Sequence, residues 1–264
     1  MLHPIPSLIG VIHLPPLPGS PRFEGDLGDI LAQTTADARA LAGAGFEGVI
    51  LENFGDAPFF PDRVPPITVA AMTAAAIAAR DAAPDLALGI NVLRNDAEAA
   101  LSVAVASGAR MIRINVHTGA RITDQGIVQG RAHETLRLRK QLGATHVRIL
   151  CDVDVKHSAP LAPRPLAEEA EEIAGRGLAD AILVTGTGTG RAAQREDLQA
   201  VRAAVHVPVL VASGVTAAAL LELEGAHGVI VGSCLRASGR AGDPVDPALA
   251  ARFAEAFKKA WSDF

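Results

Sequence analysis

Two kinds of hydrophobic pattern alternate along the chain. The first consists of short runs that are apolar at nearly every position and rich in β-branched residues, which is typical of strands covered on both faces. These runs are Leu8–His13, Gly48–Asn53, Leu86–Asn91, Met111–Asn115, Val147–Asp152, Ala181–Thr185, Val207–Val211 and Gly228–Gly232. The second consists of Ala- and Leu-rich stretches with the spacing of an amphipathic helix. They are Leu27–Ala44, Thr68–Ala83, Asp96–Ser107, Gly130–Leu142, Leu166–Arg176, Arg195–Ala204, Thr216–Leu223 and Pro247–Trp261.

Each of the eight predicted strands is followed by a predicted helix. This order predicts an α/β fold in which a parallel sheet closes into a single (β/α)8 TIM barrel. The alternative is an open doubly wound sheet, which usually has fewer strands and a glycine-rich turn after the first one. No GxGxxG follows the first strand here. The barrel is therefore favoured, as one domain over residues 1–264.

Helix ends are marked by local signals. Asn95-Asp96 and Thr216 stand where a helix should start, since short polar side chains cap the first turn. Glycines that would end helices are Gly43, Gly108, Gly143 and Gly177. The longest segments predicted to be irregular are Pro15–Asp26, Gly55–Pro66, His117–Gln129 and His157–Pro165. All follow strands, so they should crowd the face of the barrel where such folds hold their chemistry.

Composition narrows the class of protein. The 264 residues include 24 basic and 29 acidic side chains, for a net charge of −5, which excludes a basic nucleic-acid binder as the default. The two cysteines, Cys151 and Cys234, have no metal-site spacing, so a reduced cytoplasmic protein is expected. No signal peptide is recognisable at the start, and the most apolar stretch, Val69–Ala79, is too short to span a bilayer. Attachment to a membrane surface stays open.

Polar side chains end nearly every predicted strand. In the fourth strand Ile112 and Ile114 suit the helix-facing side, which directs Arg113 and Asn115 into the barrel. The same alternation places Asp152, Asp154 and Lys156 together after the fifth strand. One interpretation is an internal ion-pair network, because buried charges are costly unless they are paired. The other strand ends favour a substrate site instead; they carry His13, Glu52, Asn53, Asn91, Thr185 and Ser213.

Two late strands run into matched glycine turns. Ser213-Gly214-Val215 follows the seventh strand and Gly232-Ser233 the eighth, each before a predicted helix start. Backbone N–H groups and a helix N-terminus at such a turn can hold an anion, and many barrels bind phosphate there. The alternative is two ordinary connecting turns. A further glycine-rich run, Thr185–Gly190, fits neither nucleotide-binding fingerprint and is interpreted as a loop over the ligand, with Thr185 or Thr187 in contact.

The segment Asp152–His157 has the highest density of chemically reactive groups. Lys156 could be held charged by nearby carboxylates and stabilise an enediolate, or act as an amine nucleophile when partly desolvated. His157 could serve as an acid or base, or be a solvated loop residue. Metal binding by His13, Asp152 and His157 lacks a short-range ligand pair. We therefore predict Asp152, Lys156 and His157 as catalytic groups, with no metal and no cofactor.

Several long motifs occur in order along nearly the whole chain. They are Ile9–Pro21, Glu52–Phe59, Gly89–Asp96, Arg113–Val116, Thr123–Gly126, Asp152-Val153 with Lys156-His157, and Thr185-Gly186 with Thr189-Gly190. With these motifs the chain resembles the BtpA/SgcQ family. The resemblance implies a TIM barrel of the ribulose-phosphate-binding kind, similar to tryptophan-biosynthesis and phosphosugar enzymes. One branch of that family is named for photosystem I biogenesis and another for a sugar-metabolism gene cluster.

Taken together, these observations predict an enzyme that acts on a small phosphorylated sugar or phosphoribosyl compound by lyase or isomerase chemistry. Two alternatives remain: a non-catalytic factor that assembles a membrane complex, and a metal-dependent hydrolase. A homo-oligomer is expected. The apolar loop Pro58–Pro61 is either a lid or a contact between subunits.

Overall fold

Eight parallel strands close into a barrel. A computed structural model describes residues 4–186 and 195–261. Its barrel strands are β1 (Leu8–His13), β2 (Gly48–Glu52), β3 (Ala87–Asn91), β4 (Met111–Ile114), β7 (Arg148–Val153), β9 (Ala181–Val184), β10 (Val209–Val211) and β11 (Gly228–Val231). β1 pairs with both β2 and β11, which closes the ring. Each predicted strand boundary lies within two residues of the observed one, and the TIM-barrel prediction is confirmed.

Helices surround the barrel. They are α1 (Leu27–Ala44), α2 (Pro66–Ala82), α3 (Ala97–Ser107), α4 (Ala132–Gln141), α5 (Leu166–Gly175), α6 (Arg195–Ala204) and α7 (Pro247–Trp261). In the described part of the chain, none of them has the length and apolar character needed to cross a membrane.

The predicted seventh helix is wrong in type. Residues Ala217–Leu223 form a 3-10 helix, and Thr216 makes no side-chain hydrogen bond to its first turn. A second 3-10 turn, Ser233–Leu235, follows β11. Both segments are short, and short connecting turns commonly adopt the tighter 3-10 geometry. Neither provides an α-helical N-terminus beside the late glycine turns.

The barrel strands separate two apolar layers. Ile9, Ile50, Leu150 and Leu210 pack inside the barrel, together with similar residues of the other strands. The opposite faces of the strands pack against the helices in a larger core that includes Ile112, Ile114, Cys151 and Val153. Both faces of each strand are thus covered, which explains why the strands are apolar at nearly every position.

Two loops predicted to be irregular contain a small antiparallel sheet. Its strands are β5 (Ala120–Thr123), β6 (Gly126–Gln129) and β8 (Ser158–Pro160), in the order β6-β5-β8. Val128 of this sheet forms a buried cluster with Val116 and Val155. The prediction missed these strands because each is only three or four residues long and carries little alternation of its own.

Most helix-end predictions agree with the structure, but Gly43 is an exception. The Asp96 carboxylate accepts a hydrogen bond from the Ala99 N–H at 2.9 Å, and Gly108 ends α3 with a φ of 76°. Gly43 lies inside α1, whose last residue is Ala44, and Gly45 ends it with a φ of 89°. Of Gly43 and Gly45, only Gly45 has the left-handed conformation that favours glycine at a helix end.

The two glycines at this helix end should respond in opposite ways to an added methyl group. Gly43→Ala is expected to raise the free energy of unfolding by about 0.5–1 kcal/mol, because alanine is the better helix former and the position is open. Gly45→Ala is expected to lower it by about 1–2 kcal/mol, because a Cβ disfavours positive φ. Urea denaturation of both variants measures the difference. Destabilisation by Gly43→Ala would contradict the assignment of the helix end.

Candidate active site

The carboxyl ends of the barrel strands bring most of the predicted polar residues to one face. Because all eight strands are parallel in a closed ring, their ends meet around a single opening. Nine side chains predicted for this site are buried there. They are His13, Glu52, Asn53, Asn91, Arg113, Asn115, Asp152, Thr185 and Ser213.

A buried ion pair joins β4 to β7 inside the barrel. Arg113 Nη2 lies 3.0 Å from Asp152 Oδ1, and the two side chains are 4% and 0% exposed. Arg113 Nε donates to the same carboxylate, and Asn115 Nδ2 donates to Asp152 Oδ2 at 2.5 Å. Burial alone would lower the pKa of Arg113, but Asp152 and Glu52 together raise it. The guanidinium is therefore held in its charged form, as the ion-pair interpretation required.

The sequence predicts that Asp152, Asp154 and Lys156 share one face of a strand, but the strand ends directly after Asp152 and Val153. β7 finishes at Val153, and Asp154 takes a positive φ of 49°. The Asp154 side chain is 53% exposed and forms an ion pair with Arg121. Alternation of side chains holds only in extended backbone, so the prediction that Asp154 joins Asp152 and Lys156 was wrong.

Two adjoining cavities open at this face. The larger has a volume of about 670 Å³ and lies beside the loops that follow β1, β2 and β3. The smaller lies at the ends of β1, β10 and β11. Three charged residues, Glu52, Arg113 and Lys156, border both cavities. A ligand reaching from one cavity to the other would pass these three side chains.

Lys156 borders both cavities. Within the described residues none of the ion pairs includes its ammonium. Burial lowers the pKa of Lys156; the neighbouring Arg113 lowers it further, while Glu52 opposes the shift. The Lys156 carbonyl accepts a hydrogen bond from Arg94 Nη2 at 2.8 Å, which fixes the backbone that carries the lysine. The backbone of this lysine is thus held at the border of the two cavities.

Glu52 and Asn53 have different roles, although they are neighbours at the end of β2. Asn91 Nδ2 donates to Glu52 Oε2 at 2.7 Å, which orients a carboxylate that borders both cavities. Asn53 accepts from the Leu93 N–H at 2.7 Å and donates to Asp56 at 3.1 Å. Asn53 therefore ties two loops together, and it borders neither cavity within the described residues.

The smaller cavity combines the two late glycine turns with His13. Ser213, Gly214, Val215, Gly232 and Ser233 border it, as the sequence predicts for an anion site. Within the described part of the chain, the backbone N–H groups of Gly214 and Ser233 donate to no protein acceptor. Because the helices after both turns are short 3-10 segments, a helix dipole contributes little. Positive charge comes instead from Lys156 and Arg113, which border the same cavity.

His13 is a neutral group in the wall of that cavity. Burial lowers its pKa well below the ordinary value, and the charges of Arg236, Lys156 and Arg113 act in the same direction. Its ring contacts Phe54 edge-on at a centroid distance of 4.8 Å. Its Nδ1 is buried and makes no hydrogen bond within the described residues. A buried polar atom of this kind is costly unless a ligand or water pairs with it.

His157 and Thr185 lie at the edge of the site. His157 is exposed, has a φ of 58° and borders the larger cavity. Partial burial lowers its pKa, and Lys156 and Arg94 lower it further. Thr185 donates to the Asp154 carbonyl at 3.2 Å. Thr187 and residues 188–190 lie outside the described residues.

The sequence analysis missed several residues of the site. Arg94, Phe54, Phe59 and Asp124 border the larger cavity, although they come from loops rather than strand ends. Arg236 is fully buried and donates to the carbonyls of Gly232 at 2.8 Å and Val11 at 2.7 Å, which braces the smaller cavity. Arg94 and Phe59 belong to motifs noted in the sequence, but no rule of alternation assigns a direction to a loop side chain.

In the ranges 4–186 and 195–261 no group of three His, Cys, Asp or Glu residues could hold a metal ion.

Fold and site together define a TIM barrel with a polar, partly cationic opening at its C-terminal face. The chain matches the profile of the BtpA family over residues 5–259 and belongs to that family. It is 44% identical over 253 residues to the photosystem I biogenesis protein BtpA of Synechocystis sp., covering 94% of this chain and 87% of that protein. The resemblance seen in the sequence motifs is thereby confirmed.

Solved structures with the same fold are more distant in sequence. Thiamine phosphate pyrophosphorylase from Pyrococcus furiosus is 14% identical, with a TM-score of 0.61 and 96% of each chain covered. (S)-3-O-geranylgeranylglyceryl phosphate synthase from Thermoplasma acidophilum, in complex with its substrate sn-glycerol-1-phosphate, is also 14% identical. It has a TM-score of 0.59, with 96% of this chain and 94% of that chain covered. At these identities the likeness establishes the fold.

Removing one partner of the buried ion pair should be costly. Arg113→Met is expected to lower the free energy of unfolding by about 3–5 kcal/mol, because it leaves the Asp152 carboxylate buried and uncompensated. Arg63 forms an exposed ion pair with Glu98, and Arg63→Met should cost at most about 1 kcal/mol. Urea denaturation of both variants makes the comparison. In a double-mutant cycle with Asp152→Leu, strictly additive losses would contradict direct coupling of Arg113 and Asp152.

Proposed function

We propose that the protein is an enzyme that binds a small phosphorylated sugar or phosphoribosyl compound across the two adjoining cavities. The observation that carries this proposal is the shared border of Glu52, Arg113 and Lys156, with a lysine that forms no ion pair among the described residues. The phosphate would lie in the smaller cavity, against the N–H groups of Gly214 and Ser233. Structural neighbours named for phosphate-ester substrates are consistent with this class of ligand.

The reaction class is proton transfer next to a carbonyl, as in isomerases and carbon–carbon lyases. A charged Lys156 beside the substrate carbonyl would stabilise the oxyanion of an enediolate. Glu52, oriented by Asn91, is the carboxylate placed to move the proton. Asp152 borders neither cavity and is committed to Arg113 and Asn115, so it acts by positioning Arg113. His157 at the rim is a second group able to exchange a proton with the ligand.

Ligand binding should stabilise the protein through Lys156. Ribose 5-phosphate at about 100 times its dissociation constant is expected to add about 2.7 kcal/mol to the free energy of unfolding. Lys156→Met should weaken binding about tenfold or more, because a charged hydrogen bond to the anion is lost. Lys140 is an exposed lysine on α4, and Lys140→Met should leave affinity unchanged. Thermal-shift titration with a set of phosphorylated sugars measures each effect.

The same titration tests a second candidate function. The relative named for photosystem I biogenesis favours a factor that assembles a membrane complex. Ile122 and Ile127 face each other across β5 and β6 and are 48% and 62% exposed, which offers such a partner an apolar contact. Absence of a shift with every phosphorylated sugar, together with co-purification of a membrane complex, would contradict the enzyme and support assembly.

Affinity for the phosphorylated ligand should depend on pH through Lys156. Its pKa is lowered by burial, so the ammonium loses its proton at a lower pH than an ordinary lysine does. Because deprotonation removes positive charge from the anion site, affinity should fall as pH rises through that lowered pKa. Calorimetric titration of ribose 5-phosphate across neutral to alkaline pH measures the decline. The decline should be absent in Lys156→Met, and an equal decline in that variant would assign it to another group.

A further inference from the structure

We propose that the larger cavity holds an aromatic or heteroaromatic ring joined to the phosphorylated sugar. The substrate class is then a ring-bearing phosphoribosyl compound rather than a bare sugar phosphate. This inference rests on the proposed function, since it takes the phosphate to lie in the smaller cavity. It adds what lies at the other end of the ligand.

The first argument is size. The larger cavity has a volume of about 670 Å³, apart from the smaller one where the phosphate is placed. Pockets of roughly 300–1,000 Å³ hold ligands of drug-like size. The sugar would lie at the shared border, beside Glu52, Arg113 and Lys156. Most of the larger cavity would remain empty without a further group on the ligand.

The second argument is the chemistry of the wall. Apolar side chains of three loops border the larger cavity; they are Leu14, Pro15, Pro16, Phe54, Phe59 and Leu93. Sugar hydroxyls placed against these groups would lose water without gaining hydrogen bonds, which is unfavourable. A ring gains both apolar burial and the preferred edge or offset contacts with phenylalanine. The Phe54 ring is already held by its edge contact with His13 at 4.8 Å.

Arginines on the same cavity favour a flat ring over a flexible apolar chain. Arg22 and Arg94 border it, and a guanidinium stacks on aromatic faces. Arg94 is buried and fixed at two points: its Nη2 donates to the Lys156 carbonyl at 2.8 Å, and its backbone N–H donates to the Phe60 carbonyl at 3.1 Å. A planar cation held in this way suits a planar partner.

The apolar loop Pro58–Pro61 contains two adjacent phenylalanines that lie in different surroundings. Phe59 borders the larger cavity, whereas Phe60 does not and is 52% exposed. The loop is therefore part of the cavity wall through Phe59. The two adjacent phenylalanines provide a matched pair of variants.

Comparison of ligands tests the ring. Calorimetry would measure the affinity of ribose 5-phosphate, adenosine 5′-monophosphate, uridine 5′-monophosphate and octyl phosphate for the full chain. At least one nucleotide is expected to bind about tenfold tighter than ribose 5-phosphate, in line with the worth of one stacked base, and tighter than octyl phosphate. If ribose 5-phosphate binds and neither nucleotide binds more tightly, the ring is excluded while the proposed function stands. If octyl phosphate matches the nucleotides, the cavity is only generally apolar and the ring is again excluded.

Failure of the proposed function gives a different pattern, in which none of the four compounds binds.

Two variants test where the ring of a bound nucleotide lies. Phe59→Ala should weaken nucleotide binding about tenfold and leave ribose 5-phosphate binding unchanged, since only the ring contacts this wall. Phe60→Ala should change neither affinity. Equal loss for both ligands in Phe59→Ala, or no loss for the nucleotides, would overturn the placement.

Discussion

The candidate site depends on one buried ion pair, Arg113 with Asp152. A guanidinium desolvated inside a barrel is tolerated only when a carboxylate and further hydrogen bonds compensate its charge. Asp152 supplies that carboxylate from the neighbouring strand, and Asn115 completes its coordination. The pair fixes the Arg113 guanidinium where the two cavities meet, with its charge balanced by Asp152. Lys156 and Glu52 are arranged around that charge.

The charged residues around the smaller cavity influence the protonation of His13. Lys156 and Arg113 border the smaller cavity, Arg236 braces it, and Glu52 is its carboxylate among the described residues. The charges of Arg236, Lys156 and Arg113 add to burial in keeping His13 neutral. The short 3-10 turns after β10 and β11 do not provide the dipole of an α-helix, so an anion in this cavity would depend on the neighbouring cationic side chains and on backbone N–H groups.

Strand positions and inward-facing groups could be predicted because both follow from alternation. Arg113 and Asp152 lie inside the barrel, opposite Ile112, Ile114 and Cys151, since each belongs to a barrel strand. Asn115, one residue beyond β4, lies on the same side and donates to Asp152. Asp154 could not be placed in this way, because its positive φ breaks the alternation one residue beyond β7. Arg94, Phe59 and the small antiparallel sheet depend on loop conformations, which are set by contacts distant in sequence, such as Arg94 with the Lys156 carbonyl.

Asp152 and Glu52 are two carboxylates near Lys156 that differ in their hydrogen bonds and in their access to the cavities. Both lie near the carboxyl ends of barrel strands, and both influence the pKa of Lys156. Both oxygens of Asp152 accept hydrogen bonds, from Arg113 and from Asn115, and within the described residues Asp152 borders neither cavity. Glu52 accepts a hydrogen bond from Asn91 and borders both cavities. Of the two carboxylates, Glu52 is therefore the one within reach of a ligand, and this is why we propose Glu52, rather than Asp152, as the group that exchanges a proton with the ligand.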